Sequence, residues 1–338
     1  MNLITGATGL VGSYLARLLL SKGEKVRAIK RTMSDTSLLN DISDRIEWVE
    51  GDVLHIPSLE DAMEGVTNVY HCAAMISFIP REIDQMMKIN TEGVANVMNV
   101  ALASNVRKLV HVSSIAAFGI PPAGKVVDEK FSDPNINKAF WYYRSKHYGE
   151  REAWRAMEEG LNVVIACPST IIGAGWWDAE PNSLYPEIYK GLKFYTSCTN
   201  GFIDVRDVTE CLYRLMQSDI SGEKFILSAE NLSFRDVIWQ MADEMKVQRP
   251  SLEAGKFLRS IAWRMEVIKG LFGHHRPLIT KESAEVAGIS FQYSNEKIKQ
   301  TLNYNFRPVK QTIADTAQVF LKSHAEKKEY GVFATSSS

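Results

Sequence analysis

Tyr142 and Lys146 stand four residues apart, and on an α-helix that spacing puts both side chains on one face. A free phenol, with a pKa of about 10, is a poor base at neutral pH, but a neighbouring ammonium favours the phenolate. Such a pair exchanges a proton with the oxygen of a carbonyl or an alcohol. Ser114 follows the apolar run Lys108 to Val112 and is suited to hold that same oxygen while charge shifts on it. Tyr143 is set aside because it stands only three residues before Lys146. Any Tyr-x-x-x-Lys taken alone is more often surface coincidence, so the pair gains meaning only beside a hydride carrier.

The string TGATGLVG, Thr5 to Gly12, offers a cradle for that carrier. Met1 to Ile4 reads as a short apolar strand and Leu10 to Leu20 has helical apolar spacing, so the three glycines cross a strand-to-helix turn. Gly6 allows the tight turn, Gly9 lets backbone approach a pyrophosphate, and Gly12 lets the helix pack on the sheet. Phosphate is expected over Thr8, Gly9, Leu10 and Val11, where a helix N-terminus offers free N–H groups and its dipole. Lys146 is then expected to reach the nicotinamide ribose. The next strand, Lys25 to Ile29, ends in Lys30 and Arg31, where a carboxylate would otherwise accept the ribose 2′-hydroxyl. Two cations there attract a 2′-phosphate, which predicts NADP, with NAD still possible. The alternative is that both are solvated charges after a strand.

The elements that must position these groups alternate. Short β-rich runs at Lys25 to Ile29, Ile46 to Glu50, Asn68 to Cys72, Lys108 to Val112 and Val163 to Cys167 are separated by helical stretches, and Tyr142 falls on a helix expected from Phe140 to Glu159. The pattern predicts an α/β fold: a doubly wound parallel sheet of Rossmann type with a smaller, mostly helical C-terminal substrate domain. Residues 1–166 with 200–228 are assigned to the dinucleotide-binding domain, 167–199 with 229–323 to the substrate domain, and 324–338 to a flexible tail. The stretch Phe202 to Ser228 reads strand, helix, strand returning to the sheet. Ligands of such sheets bind at the carboxyl ends of the strands.

The chain has 338 residues and a formal charge of −1, which gives no global attraction to nucleic acid or an anionic membrane. Cys72, Cys167, Cys198 and Cys211 are scattered, and His274 and His275 are adjacent, so no disulfide framework or metal site is expected. No apolar run reaches membrane-spanning length, and the cradle begins too close to Met1 for a signal peptide, so a cytoplasmic location is expected. His71 and Cys72 are read as sheet-end core.

Taken jointly, TGATGLVG, Gly51-Asp52-Val53, His71 to Ala74, Asn90 to Gly93, Val112 to Ser114, Tyr142 with Lys146, Pro168 to Thr170 and Asp204 to Val208 resemble the extended short-chain dehydrogenase/reductase family over nearly the whole chain. The resemblance implies that Asp52 and Val53 contact adenine, that Ala73, Ala74 and Asn90 border the cofactor, and that Pro168 to Ile171 lie beside the nicotinamide. It also implies a Ser114, Tyr142 and Lys146 triad. Dehydratase members are expected to carry Asp-Glu where this chain has Ile115-Ala116, and sugar-nucleotide members an asparagine in the segment written here CPSTIIGAG. The chain is therefore most similar to the dihydroflavonol reductase and 3β-hydroxysteroid dehydrogenase branch.

Three functional classes follow. The first is an NADP-dependent oxidoreductase acting on a carbonyl or alcohol of an apolar small molecule. The second is an NAD-dependent sugar-nucleotide epimerase, and the third a cofactor-binding regulatory protein with idle chemistry. Phe257 to Phe272 carries an apolar stripe that suits a substrate lid, ordinary packing or a cationic membrane-touching helix. Met86, Met87, Val94, Val97, Met98 and Leu102, in a helix expected from Arg81 to Asn105, exceed what packing on one sheet needs, and in the resembling family such a helix pairs across a two-fold axis. A homodimer is expected.

Overall fold

The computed structural model describes residues 1–179, 181–256, 258–261, 263–264 and 280–333. Its centre is a seven-stranded sheet built from β1 (Asn2–Thr5), β2 (Val26–Lys30), β3 (Ile46–Glu50), β4 (Asn68–His71), β5 (Lys108–Val112), β7 (Val163–Pro168) and β11 (Glu223–Leu227). The order is β11-β7-β5-β4-β1-β2-β3, and every neighbouring pair is parallel. This is the doubly wound sheet expected from the alternating pattern.

Strand side chains alternate between two helical layers. Leu3, Val69, Leu109 and Ile165 face one layer with helices α2 (Ile56–Met63), α4 (Val94–Ala103) and α5 (Trp141–Glu158). Ile4, Tyr70, Val110 and Val164 face the other, with α1 (Leu10–Ser21) and α7 (Val205–Gln217). All eight are essentially inaccessible to solvent. Each such residue contributes about 1.5–3 kcal/mol of burial, so these two faces fix the sheet's position between its helices.

Phe202 to Ser228 takes the expected strand-helix-strand order but returns to the main sheet only through its last strand. β11 closes the edge of the main sheet, but β10 (Thr199–Asp204) joins a separate three-stranded sheet with β8 (Thr170–Ile172) and β12 (Glu230–Ser233). The chain leaves the main sheet just after Pro168, which has no N–H to donate.

The helix expected from Arg81 to Asn105 is divided. α3 (Ile83–Lys88) passes through a π turn, Ile89–Gly93, into α4. Met86, Val94, Val97 and Met98 are buried within this chain, whereas the solvent side carries Asp84, Gln85, Lys88, Glu92 and Asn99. Most of the apolar surplus that suggested a second copy is thus taken up within the chain, while Met87 and Leu102 stay half-buried.

The expected tail differs too. A helix at Val309–Ala325 takes in its first residues, and the chain then returns to dock on the body. Trp177 N donates to Glu329 O and Gly331 N to Gly175 O, both at 3.0 Å, and Phe333 is buried. Residues 334–338, His274, His275 and most of Phe257 to Phe272 lie outside the described residues. No described helix is long and apolar enough to cross a membrane.

Candidate active site

The glycine turn stands at the carboxyl end of β1, as its roles require. Gly6 has φ +71°, in the left-handed region where a side chain is strained, and a Cβ there would lie 2.7 Å from the Ala73 backbone. A Cβ on Gly12 would lie 2.2 Å from Gly6 O, so α1 can press on the turn only without one. Gly9 is different: a Cβ would meet only Gly6 O at 3.4 Å, and the residue is exposed. Its bareness therefore serves space outside the chain rather than packing within it. The first α1 bond runs from Ser13 N to Gly9 O at 2.9 Å, which leaves the amides of Leu10 and Val11 ahead of the helical ladder. Close backbone approach, free amides and absence of acid in the first helical turn fit a pyrophosphate.

At the end of β2 the two cations part company. Lys30 Nζ lies 5.4 Å over the Trp48 ring, whereas Arg31 is exposed and is engaged only through its backbone among the described residues, its N–H donating to Ser34 Oγ at 3.0 Å and its carbonyl accepting Ser34 N at 2.9 Å. Asp52 is half-buried and accepts Leu54 N at 2.9 Å; Val53 is buried, and its carbonyl accepts from Asn96 Nδ2 at 3.1 Å. Ala73 is half-buried and Ala74 exposed beside the glycine turn, while Pro168 is buried and Ile171 half-buried across the sheet crest. Asn90 sits behind this row. Its carboxamide donates to Met75 O and accepts from Met75 N, both at 2.8 Å, and donates to Ser145 Oγ at 3.0 Å. With both ends so used, Asn90 pins the loop after β4 to α5.

The triad residues converge. Ser114 caps a short 3₁₀ turn, its Oγ accepting Ala116 N at 3.1 Å, and it lies near enough to the Tyr142 phenol to lower its pKa. Phe78 packs edge-on against Tyr142 with ring centroids 5.8 Å apart. Tyr143, by contrast, is a buried core residue between Phe140 and Phe291. One residue of helical rotation separates Tyr142, the candidate reacting tyrosine, from a structural one.

The electrostatics depart from the expectation that Lys146 favours the phenolate. Burial raises the Tyr142 pKa and nearby Ser114 only moderates this, so the phenol is held protonated. Lys146 Nζ donates to Val112 O at 3.2 Å, and burial pushes its pKa down to about 8. Behind these groups His71 and His111 stack with centroids 5.2 Å apart, and burial pushes His71 down to about 3. Both imidazoles are neutral core groups, with Thr5 Oγ1 2.7 Å from His71 Nδ1.

Asp204 and Asp207, drawn from the DVRDV string, lie elsewhere. Asp204 caps α7 and binds Arg206 and Thr312; Asp207 binds Tyr304 and Arg307. They tether C-terminal segments. Sequence reasoning passed over Phe78, Ser145 and Glu150; the last stands four residues beyond Lys146, a spacing that could have drawn attention to it.

A sequence description of the NAD dependent epimerase/dehydratase family matches residues 2–227, and the chain belongs to that family. It is 29% identical over 326 residues, 94% of this chain and 93% of the relative, to a putative dihydroflavonol 4-reductase of Synechocystis sp.. Over 255 residues, 74% of this chain and 76% of the relative, it is 31% identical to sterol demethylase protein B of Methylococcus capsulatus. The crystal structure of gox2253 matches with TM-score 0.82 at 29% identity, covering 96% and 98% of the two chains. The Bordetella bronchiseptica enzyme WbmH, solved with NAD+, shares the fold at TM-score 0.73 and 20% identity over 95% and 98%. The protein is thus an enzyme of a family that uses a nicotinamide dinucleotide.

Proposed function

We propose that the protein is an NADP-dependent oxidoreductase that interconverts a carbonyl and an alcohol on an apolar small molecule through Ser114, Tyr142 and Lys146. The observation that carries this reading is the Tyr142 phenol, near enough to Ser114 to feel its hydroxyl and flanked edge-on by Phe78. That arrangement suits a carbonyl oxygen with an apolar body. When bound, the nicotinamide supplies or takes up the hydride. Tyr142 gives the proton to the nascent alkoxide in reduction and recovers it in oxidation, and a phenol kept protonated by burial favours the reductive direction. Ser114 holds the oxygen in line with that proton. Lys146 binds the ribose hydroxyls and keeps a positive charge behind the tyrosine. Leu10 and Val11 amides hold the pyrophosphate, Arg31 grips the 2′-phosphate, and Asp52 and Val53 border the adenine. Residues 167–199 with 229–323 supply the remaining substrate wall. Relatives named for a dihydroflavonol and a sterol support an apolar, ring-bearing substrate.

The test is NADPH or NADH oxidation with aromatic aldehydes, aromatic ketones and a ketosteroid, set beside UDP-glucose with NAD. Consumption of NADPH in preference to NADH with at least one bulky apolar carbonyl is expected. Conversion of the sugar nucleotide with NAD, and none of the carbonyls, would replace this reading with an epimerase.

A further inference from the structure

Glu150 is 5% exposed and lies one helical turn beyond Lys146 on α5. Its Oε1 accepts from Trp154 Nε1 at 3.2 Å and from Lys224 Nζ at 3.0 Å. Its Oε2 accepts from Ser113 Oγ at 3.2 Å and from Cys167 Sγ at 3.7 Å. The donors come from the ends of β5 and β7, from β11 and from α5 itself. Ser113 immediately precedes the triad serine, and Cys167 immediately precedes Pro168. Taking a carboxylate and an ammonium out of water is costly, and apolar residues of similar volume often serve stability as well or better. A buried ion pair at this place calls for another reason.

We propose that Glu150 is a positioning residue for the Tyr142–Lys146 pair: its carboxylate ties the two strand ends beside the reacting groups to the helix that bears them, and its negative charge keeps Lys146 an ammonium. This rests on reading Lys146 as part of the reacting set. The groups facing Lys146 leave Glu150 as the source of that charge. From β4 come His71, held neutral, and the Cys72 thiol, pushed up to about 12 by burial. From β5 comes His111, also neutral, and from β7 the Cys167 thiol, raised well above its ordinary range. Tyr142, on the same helix, stays protonated. Glu150 remains, with Lys224 on its far side. Burial alone would take the Lys146 pKa still lower; Cys167, Glu150 and Cys72 face it against that, and with both thiols raised and neutral the carboxylate is the one charge among them.

The test is an NMR titration of the full chain without cofactor, using lysine labelled with carbon-13 at Cε and the Lys146 resonance assigned by its loss in Lys146→Arg. The wild-type midpoint is expected near about 8. Glu150→Gln, which keeps shape and removes charge, is expected to lower it by about one pH unit. An unmoved or raised midpoint in a folded Glu150→Gln protein overturns the proposal. Should that variant fail to fold, Lys224→Met decides: with the competing cation gone the midpoint rises, and an unmoved or lowered midpoint overturns the proposal. Because neither cofactor nor turnover enters the readout, its failure is distinct from failure of the oxidoreductase reading.

Discussion

Arg31 reaches solvent at the end of β2 with its guanidinium unpartnered among the described residues, while Lys30 turns onto Trp48. Arg31 is therefore the group left to grip a 2′-phosphate, and Arg31→Ala is expected to shrink the preference for NADPH over NADH. One charge-assisted contact is worth about 1.5–3 kcal/mol, roughly ten- to hundredfold in affinity. Calorimetry with both cofactors measures this, and equal wild-type affinities would remove the NADP assignment. Adjacent cations after a strand were legible in the sequence; which one stays free was not, because it depends on a ring in the next strand. That Tyr142 rather than Tyr143 stands one helical turn from Lys146 was legible from spacing alone. The charge state of Tyr142 was not, since burial holds the phenol protonated and burial is a property of the assembled site.

The helix that bears Tyr142, α5, is seated by an absent side chain. A Cβ on Gly149 would lie 2.2 Å from Asn90 O, so α5 meets the π turn backbone to side-chain-free backbone. Gly149→Ala must push the two apart, and overpacking of this kind costs about 1–3 kcal/mol. The expected result is a lower unfolding midpoint together with reduced turnover, since Asn90 also bonds Ser145 beside the reacting residues. Unchanged thermal stability and turnover would contradict this. Lys108–Val112 matched expectation because a strand buried on both faces reads as an apolar run, and Ile46–Glu50, an edge strand with exposed Glu47 and Glu50, because its β-branched and aromatic residues favour extended backbone. The π turn was hidden because it answers to Gly149, distant in sequence, rather than to local residue preference.

Across the whole molecule, the C-terminal segment straps distant parts together. Phe333 N donates to Tyr14 Oη at 2.9 Å, and the Phe333 ring lies 4.1 Å beneath the Arg206 guanidinium. Gly331 and Tyr330 close on Gly175 and Trp176, in the loop that also contacts Leu10 of the phosphate turn. Phe333→Ala is expected to cost about 3 kcal/mol, the order found for buried phenylalanines, read as a shift of the chemical denaturation midpoint. No shift would show that the strap adds nothing to stability. Polar composition had suggested a loose end here; Phe333 is the signal that composition averages away.

The central claim is that Tyr142 delivers the proton. Steady-state NADPH oxidation by Tyr142→Phe and Tyr143→Phe, with NADPH affinity and unfolding temperature measured on the same samples, tests it most directly. Tyr142→Phe is expected to lose roughly two to four orders of magnitude in kcat while keeping its cofactor affinity and fold. Tyr143→Phe should retain most of its turnover. A Tyr142→Phe enzyme with near wild-type kcat, or a loss that follows Tyr143 instead, would contradict the account.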